Sequence, residues 1–245
     1  MKRFIDSSST DIFFNLAAEE YLLKQQTDDV FMLWQNTPSI VLGKHQRVQS
    51  EVNIERTEHF GIPIARRFSG GGTVYHDFGN INLTFIETKK EADFTVYLQQ
   101  TIQFLNSLGL KAEGDERLGI YLNGLKISGS AQCVHKNRML YHCTLLYDTD
   151  LRILDEVLDV SPDIIPKESG YSVPSVRSEV TNIRRHLPNA PSTDTFRKIL
   201  FWYFSEGEKS SPFSKEEEEA ILCLRNGKYT YHDWNFSSGR KSKSI

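Results

Sequence analysis

Residues 66–80 place three consecutive glycines between an arginine pair and a His-Asp pair, reading RRFSGGGTVYHDFGN. A strand interior avoids glycine, because glycine loses the most backbone entropy on folding and has no side chain to pack. The run therefore predicts a backbone that approaches a ligand closely, and the arginines favour an anionic ligand. A flexible linker is the alternative, which the apolar stretches IPIA and INLTFI on either side disfavour.

The spacing of these glycines excludes two common phosphate-binding loops. No Gly-Lys-Ser/Thr follows at the distance that a P-loop requires. The glycines are contiguous and precede a predicted strand rather than a helix, unlike those of a dinucleotide fingerprint. What remains is a platform of backbone N–H groups that can lie against a phosphate, a carboxylate or an extended apolar ligand. Arg66 or Arg67 could hold an anion with its planar guanidinium or form a surface ion pair, and the residues alone leave both open.

Lys126 is the second candidate for chemistry. It follows an Asn123-Gly124 turn, alternates with apolar neighbours and precedes the small residues of 128–131. A lone lysine in an alternating strand normally points to solvent. The small residues after it, however, leave room for a ligand beside its ammonium group.

His76, His142 and Cys143 complete the candidates. No closely spaced pair of ligands predicts a zinc site, so no metal site is predicted. Neighbouring residues of a strand point to opposite faces, which argues against a direct dyad of His142 and Cys143. Cys143 is therefore interpreted as a small buried side chain rather than a nucleophile.

Composition bounds the class of protein. The 245 residues are 39% hydrophobic and 25% charged, which is typical of one globular domain with at most a small appendage. A net charge of −3 gives no support for nucleic-acid binding. There is no apolar run long enough to cross a membrane and no signal-peptide core. Three widely spaced cysteines indicate free thiols, and a cytoplasmic location is predicted.

The elements that must position these residues follow from apolar periodicity and turn signals. Glu19 and Glu20 in the first helix are interpreted as solvated surface residues. The predicted first half comprises a helix over 10–25 capped by Ser9 or Thr10, strands over 30–34 and 39–43, a helix over 51–60 ended by Gly61, strands on both sides of the glycines, and a helix over 94–108 ended by Gly109.

The second half begins with a hairpin, since Asn-Gly between apolar runs is the strongest short hairpin signal. A long surface loop, the kind that often borders a site, is predicted over 159–182. The predicted elements are a hairpin over 118–131, a strand over 140–147, a helix over 150–158, a helix capped by Ser192, a last helix with a Ser214–Glu217 capping box that ends near Gly227, and a disordered basic tail over 237–245.

Two long motifs in this order resemble the lipoate–protein ligase A family. The first is the run RRxSGGGxVxHDxGN over 66–80, and the second is GxKISGSA over 124–131. Weaker matches extend the resemblance over almost the whole chain. They are NLAxEE over 15–20, WxNxP over 34–38 with GxxQ over 43–46, YHxTLL over 141–146, SVRSxVTN over 175–182 and YHxWNF over 231–236.

The resemblance implies an α+β fold, with a mixed, largely antiparallel sheet flanked by helices, in a single catalytic domain over 1–236. It also implies a two-step reaction in which ATP and Mg²⁺ activate lipoate or octanoate to an acyl-AMP. The acyl group then passes to a lysine of an apo lipoyl domain or a glycine-cleavage H protein. Lys126 is implied as the catalytic residue that contacts the carboxylate and phosphate oxygens. The implied binding residues are Arg67, Ser69, Gly70, Gly71, Gly72, Thr73, Val74, Tyr75, His76 and Lys126.

Two departures from the family pattern leave alternatives open. Ligases of this type often carry a Gly-Arg-Asn-Asp run before the hairpin, where residues 116–119 read ERLG. They also carry a further small domain after the large one, which a separate accessory protein would have to supply here. The alternatives are a transferase that uses a preformed acyl-AMP or an acyl carrier, and a non-catalytic lipoate-binding module. A cysteine thioester route is disfavoured, because Met139 stands at one of the two positions that such transferases use for the cysteine.

Overall fold

A computed structural model describes residues 2–88, 91, 93–160 and 175–237. The strands are β1 Lys2–Asp6, β2 Asp29–Trp34, β3 Ser39–Leu42, β4 Ile64–Arg66, β5 Val74–His76, β6 Asn80–Thr88, β7 Ala112–Gly114, β8 Ile120–Leu122, β9 Leu125–Ser128, β10 Ser130–His135 and β11 Arg138–Leu146. The helices are α1 Ile12–Gln25, α2 Val48–Glu51, α3 Ile54–His59, α4 Thr95–Ser107, α5 Leu151–Leu158, α6 Thr193–Phe204, α7 Lys215–Leu224 and α8 His232–Phe236.

The largest sheet has five strands in the order β1-β2-β6-β11-β10. Only β1 and β2 pair in parallel, and the other neighbours are antiparallel. Phe85 pairs with both Phe31 and Tyr141, so aromatic side chains form a continuous row on one face of the sheet. This face packs on α4 and α6, whereas the opposite face packs on α1. The sheet is therefore covered by helices on both faces.

Two smaller sheets carry the segments that the sequence singled out. One has the order β4-β3-β5, and the glycine run connects β4 to β5. The other has the order β7-β8-β9, and Lys126 lies on β9. The predicted α+β class with largely antiparallel pairing is confirmed, and the described strands divide among three sheets.

Local signals predicted most of the turns and caps correctly. Asn123 and Gly124 join β8 to β9 with φ of 51° and 80°, as a two-residue hairpin turn requires. Gly61 and Gly109 follow α3 and α4 with φ of 63° and 84°. Ser192 caps α6, and Ser214 forms the predicted capping box with Glu217. These features depend only on neighbouring residues, which is why the sequence reveals them.

Several predicted helix boundaries are wrong. Helix α1 begins at Ile12, because the carboxylate of Asp11 rather than Ser9 or Thr10 accepts the first N–H groups. The helix predicted over 51–60 is two short helices, and Asn53 caps the second. Gly227 does not end the helix that precedes it, since the chain continues as a π-helical turn over Arg225–Tyr229 and then forms α8.

Two further predictions lie largely outside the described residues. Of the predicted loop over 159–182, residues 161–174 are not described, whereas Val180 forms a parallel bridge with Lys126. Of the predicted tail, residues 238–245 are not described. Among the described residues, no helix is both long and apolar enough to span a lipid bilayer.

Candidate active site

The glycine run packs closely against other residues of the chain. A Cβ on Gly43 would lie 1.9 Å from the carbonyl oxygen of Gly71. Gly71 has φ of 91°, and a Cβ there would lie 2.7 Å from Nη2 of Arg67. A Cβ on Gly72 would lie 3.0 Å from the hydroxyl of Ser175, but one on Gly70 would meet nothing within 4 Å. The sequence predicted that the glycines allow the backbone to approach a ligand closely. At Gly43 and Gly71, however, the absence of a side chain is required by neighbouring parts of the protein itself.

Arg67 holds this loop from inside. Its Nη2 donates to the carbonyls of Gly70 at 2.6 Å and Gly72 at 2.7 Å, and its Nε donates to Gly70 at 2.9 Å. The side chain is buried, and burial lowers the pKa of Arg67 to about 10. The alternative of a surface ion pair is therefore wrong for Arg67. It lines a cavity beside the loop, and its direct contact with a ligand stays a prediction.

Arg66 is also buried, but it faces away from the loop. Its Nη1 donates to the carbonyls of Gly43 and Gln46, at 2.9 and 2.7 Å. Its Nη2 donates to the carbonyl of Asn235 at 2.8 Å, and the amide oxygen of Asn235 accepts the Arg66 backbone N–H at 2.8 Å. Arg66 therefore joins β4 to the loop after β3 and to α8. A surface ion pair is excluded here too.

Glu19 forms the centre of a buried polar chain, which corrects its interpretation as a solvated surface residue. Its Oε1 lies 2.8 Å from Nδ1 of His142 and accepts the hydroxyl of Thr84 at 2.5 Å. Nε2 of His142 lies 3.0 Å from the hydroxyl of Ser69. Helix α1 and strands β6 and β11 thus fix the residue that precedes the glycines. The neighbouring Glu20 is also buried, and it pairs with lysines and with the hydroxyl of Tyr229.

His76 is buried and neutral. Asn15 donates to the amide oxygen of Asn36, which orients the amide nitrogen of Asn36 toward Nδ1 of His76 at 2.9 Å. Nδ1 therefore accepts, and the ring proton lies on Nε2, which has no hydrogen-bond partner among the described residues. Burial, together with the charge of Arg67 and the nearby His142, lowers the pKa of His76 to about 3.

Lys126 does not point freely into solvent. Its backbone pairs on one side with β8 and on the other with Glu179 and Thr181, at 2.8 and 3.0 Å. The side chain is half-buried, and this burial lowers the pKa of its ammonium group. The charge of Asp115 opposes that lowering, whereas the charge of Arg117 adds to it.

Two cavities meet at Lys126. The first has a volume of about 460 Å³ and reaches inward past the glycine run to Leu16, Trp34 and Val41. The second has a volume of about 600 Å³ and extends along α5. The residues that line both cavities are Thr73, Val74, Lys126, Gly129, Thr144, Ser175, Val176 and Ser178.

Ser175 anchors the described end of the loop that the sequence predicted to border a site. Its hydroxyl accepts the backbone N–H of Thr73 and the amide of Gln46, both at 2.9 Å. The other end of the Gln46 amide accepts the hydroxyl of Thr73 at 2.6 Å. The chain after residue 174 is therefore bonded directly to the glycine-rich segment and lines both cavities, whereas its role beside a functional site stays a prediction.

Most of the predicted site residues come together in this region. Ser69 lines neither cavity and instead holds His142, while Tyr75 lines the second cavity. The predicted residues on the first cavity are Arg67, Gly70, Gly71, Gly72, Thr73, Val74, His76 and Lys126. Residues outside the predicted site set that also line the first cavity include Trp34, Asp115, Tyr121 and Ser178. Asp115 and Tyr121 shortly precede Lys126 in the sequence, and that position is the signal which could have identified them.

The remaining candidate, Cys143, belongs to the hydrophobic core and also lines the first cavity. Burial raises the pKa of its thiol to about 12, so the interpretation as a small buried side chain is confirmed. Within the described ranges, no cluster of three or more His, Cys, Asp or Glu side chains is arranged to hold a metal ion.

Comparison with known proteins gives consistent matches over nearly the full chain. The family model of the lipoyl protein ligase A/B catalytic domain matches residues 11–205. Lipoate–protein ligase 1 of Staphylococcus aureus is 38% identical over 99% of this chain and 75% of its own length. The chain thus spans about three quarters of that relative.

Two solved structures have the same fold. A bi-partite lipoate protein ligase from Thermoplasma acidophilum, described with its E2 lipoyl domain, has a TM-score of 0.81 at 25% identity and covers 99% of both chains. A lipoate–protein ligase A bound with ATP has a TM-score of 0.78 at 24% identity, covering 97% of this chain and 98% of the other.

Proposed function

This chain belongs to the lipoyl protein ligase A/B catalytic domain family and is an enzyme of the lipoate–protein ligase type, and we propose that Lys126 carries out its chemistry where the two cavities meet. One observation supports this most directly. Lys126 lines both cavities, beside the glycine-rich segment. A reaction that joins two substrates needs both reacting groups at one point.

In this proposal the first cavity takes the acyl chain and the second takes the nucleotide. The inner end of the first cavity is lined by Leu16, Trp34 and Val41, which suit an apolar chain. The second cavity runs from Lys126 to α5, where Leu154 and Leu158 line it. The carboxylate of lipoate and the α-phosphate of ATP would then meet beside Lys126, over the backbone of Thr73 and Val74.

The proposed reaction has two steps. A carboxylate oxygen of lipoate attacks the α-phosphorus, and pyrophosphate leaves with the electrons of the broken phosphate bond. The amine of an acceptor lysine then attacks the acyl carbonyl, AMP leaves, and the amine loses a proton. Negative charge moves among oxygen atoms in both steps, so one fixed cation can stabilise each transition state.

Mg²⁺ fits this site as a companion of ATP rather than as a resident metal ion. Asp155 and Asp159 line the second cavity, and carboxylates together with phosphate oxygens are the ligands that Mg²⁺ prefers. When bound, the ion would neutralise part of the phosphate charge.

The acceptor is proposed to be an apo lipoyl domain, as the described pairing of the Thermoplasma acidophilum ligase with an E2 lipoyl domain suggests. A glycine-cleavage H protein is a second proposed acceptor. A separate small accessory protein is also proposed, because the Thermoplasma relative is bi-partite and matches this chain over its whole length. A transferase that uses preformed acyl-AMP is the alternative function.

One assay separates these functions. The purified chain is incubated with lipoate, Mg-ATP and an apo lipoyl domain, and in parallel with preformed lipoyl-AMP and the same acceptor. Pyrophosphate release in the first reaction supports a complete ligase, whereas transfer only in the second supports the transferase. If neither reaction modifies the acceptor, a separately expressed accessory domain is added. Failure in all three reactions would contradict the proposed activity.

A further inference from the structure

Asp115 lies in a tight turn and lines the first cavity. Its Oδ1 accepts the backbone N–H of Gly119 at 2.7 Å and that of Arg117 at 3.0 Å. The backbone of Asp115 also bonds in both directions, to Gly119 at 3.1 Å and from Leu118 at 3.0 Å. The turn contains Leu118 at φ of 60°, a conformation that is costly for a bulky residue. The hydrogen bonds of the 115–119 turn therefore hold Leu118 in a backbone conformation that leucine disfavours.

The other carboxylate oxygen is fixed by the neighbouring strand. Oδ2 of Asp115 accepts the hydroxyl of Tyr121 at 2.9 Å. Burial raises the pKa of Asp115, but the hydrogen bonds from Gly119, Tyr121 and Arg117 outweigh burial and bring the pKa below its usual value. The group is thus an ionised carboxylate with both oxygens held in place.

The carboxylate of Asp115 and Cε of Lys126 both lie beside Gly119. A Cβ on Gly119 would lie 3.2 Å from Oδ1 of Asp115, 3.3 Å from Cε of Lys126 and 3.1 Å from the ring of Tyr121. The ammonium nitrogen of Lys126 lies 6.0 Å from the centre of that ring. Three side chains therefore converge on one glycine, and all three line the first cavity.

Other charged groups surround Lys126 at the same junction. Arg117 shares the first cavity with it, and its positive charge works against the protonated lysine. The charged residues that line the second cavity with Lys126 are Glu51, Asp155, Asp159 and Arg177. Asp115 is the group whose charge favours the protonated form of Lys126 most strongly.

We propose that Asp115 is the positioning residue of Lys126, and that its carboxylate, held by the 115–119 turn and by Tyr121, directs the ammonium group to the junction of the two cavities. The expected effect on turnover rests on the proposed function. The expected effect of Asp115 on the ammonium group of Lys126 does not. In the Gly-Arg-Asn-Asp pattern the acidic residue falls at the position of Gly119. The structure places the carboxylate of Asp115 beside Gly119 instead.

Asp115→Asn tests this with little change of shape. An asparagine oxygen can still accept the N–H groups of Gly119 and Arg117, so the turn is expected to persist while the charge disappears. The control is Glu116→Gln, which removes an exposed carboxylate one residue away that lines neither cavity. Tyr121→Phe is the second variant, since it removes the hydrogen bond to Oδ2 and leaves the carboxylate charge in place.

The first measurement follows Lys126 directly and needs no catalytic activity. Protein labelled with ¹³C at the lysine Cε is titrated by NMR, and the Lys126 signal is identified by its loss in Lys126→Arg. The midpoint should move to lower pH in Asp115→Asn, move less in Tyr121→Phe, and stay unchanged in Glu116→Gln. An unchanged midpoint in Asp115→Asn overturns the proposal, whatever the activity. If Asp115→Asn does not fold, an unchanged Lys126 titration midpoint in Tyr121→Phe overturns the proposal instead.

The second measurement is turnover in lipoyl-AMP formation, or in transfer from lipoyl-AMP, across the alkaline pH range. Asp115→Asn should lower turnover about 10-fold, equal to ~1.4 kcal/mol of barrier, and the loss should grow as pH rises because the ammonium group deprotonates earlier. Glu116→Gln should follow the parent. If the parent is inactive in both reactions but the NMR shift is present, the proposed function fails and the positioning role stands.

Discussion

Arg67→Lys distinguishes a loop-supporting arginine from a ligand-binding one. Nη2 of Arg67 bridges the carbonyls of Gly70 and Gly72 at 2.6 and 2.7 Å, and a single ammonium group cannot reproduce this fork together with the Nε contact. A hydrogen bond to a charged group contributes about 1.5–3 kcal/mol. If lysine keeps one of the two glycine contacts, the free energy of unfolding should fall by about 2–3 kcal/mol. For a chain of this size that corresponds to a melting temperature lower by about 5–10 °C.

The assay combines thermal unfolding by circular dichroism with calorimetric binding of a non-hydrolysable lipoyl-AMP analogue. Arg66→Lys is the matched control, because Arg66 is equally buried but lines neither cavity. We expect both variants to lose stability, and only Arg67→Lys to bind the analogue more weakly, through a less ordered loop. A loop-supporting role for Arg67 is refuted if Arg67→Lys melts within about 2 °C of the parent and yet loses more than about 10-fold in affinity. In that case its donors would act mainly on the ligand.

Substitutions at Lys126, at the glycine run and at His76 test other parts of the site. Lys126→Met should fold normally but lose about 10²–10³ in turnover, as removal of a preorganised charge does, and parental acyl transfer by this variant would contradict its role. Gly70→Ala should retain activity, whereas Gly71→Ala should lose it, because Gly71 has a φ of 91° and a Cβ there would lie 2.7 Å from Nη2 of Arg67; equal activities would contradict the packing. The pKa of His76 is about 3 in the folded protein and 6.5 in the unfolded chain. As pH drops below 6.5, the unfolded chain binds a proton that the folded protein does not, so the free energy of unfolding falls. His76→Gln should abolish ~2 kcal/mol of the loss between pH 7 and 5 in denaturant titrations, and unchanged acid sensitivity would refute it.

The features that the sequence predicted well are those set by neighbouring residues or by an uninterrupted motif. Asn123-Gly124 needs only its own backbone preference to make a turn. Ser214 and Glu217 bond to each other across three residues. The glycine run and Lys126 were found because residue type and spacing together are unusual. In each case the information lies within a dozen residues.

Glu19 shows why other parts could not be predicted. Its partners, Thr84 and His142, lie 65 and 123 residues away, so no local pattern distinguishes this buried carboxylate from a surface one. The same holds for Asp115, whose importance depends on how the turn bends toward Lys126. Alignment from Lys126 places Gly119 where the Gly-Arg-Asn-Asp run has its acidic residue, whereas the carboxylate beside Gly119 belongs to Asp115.

The contacts of Arg66 have a consequence for synthesis of the protein. Asn235 and Trp234 bond to Arg66 across 169 and 168 residues, and both lie in the last described helix. A nascent chain can thus complete the large sheet early, yet Arg66 finds these partners only after residue 235 has left the ribosome tunnel. The strand leading into the glycine run is consequently among the last parts to reach its final hydrogen bonding. The hydrogen bonds that hold Arg66 should therefore form only once residue 235 is free to fold.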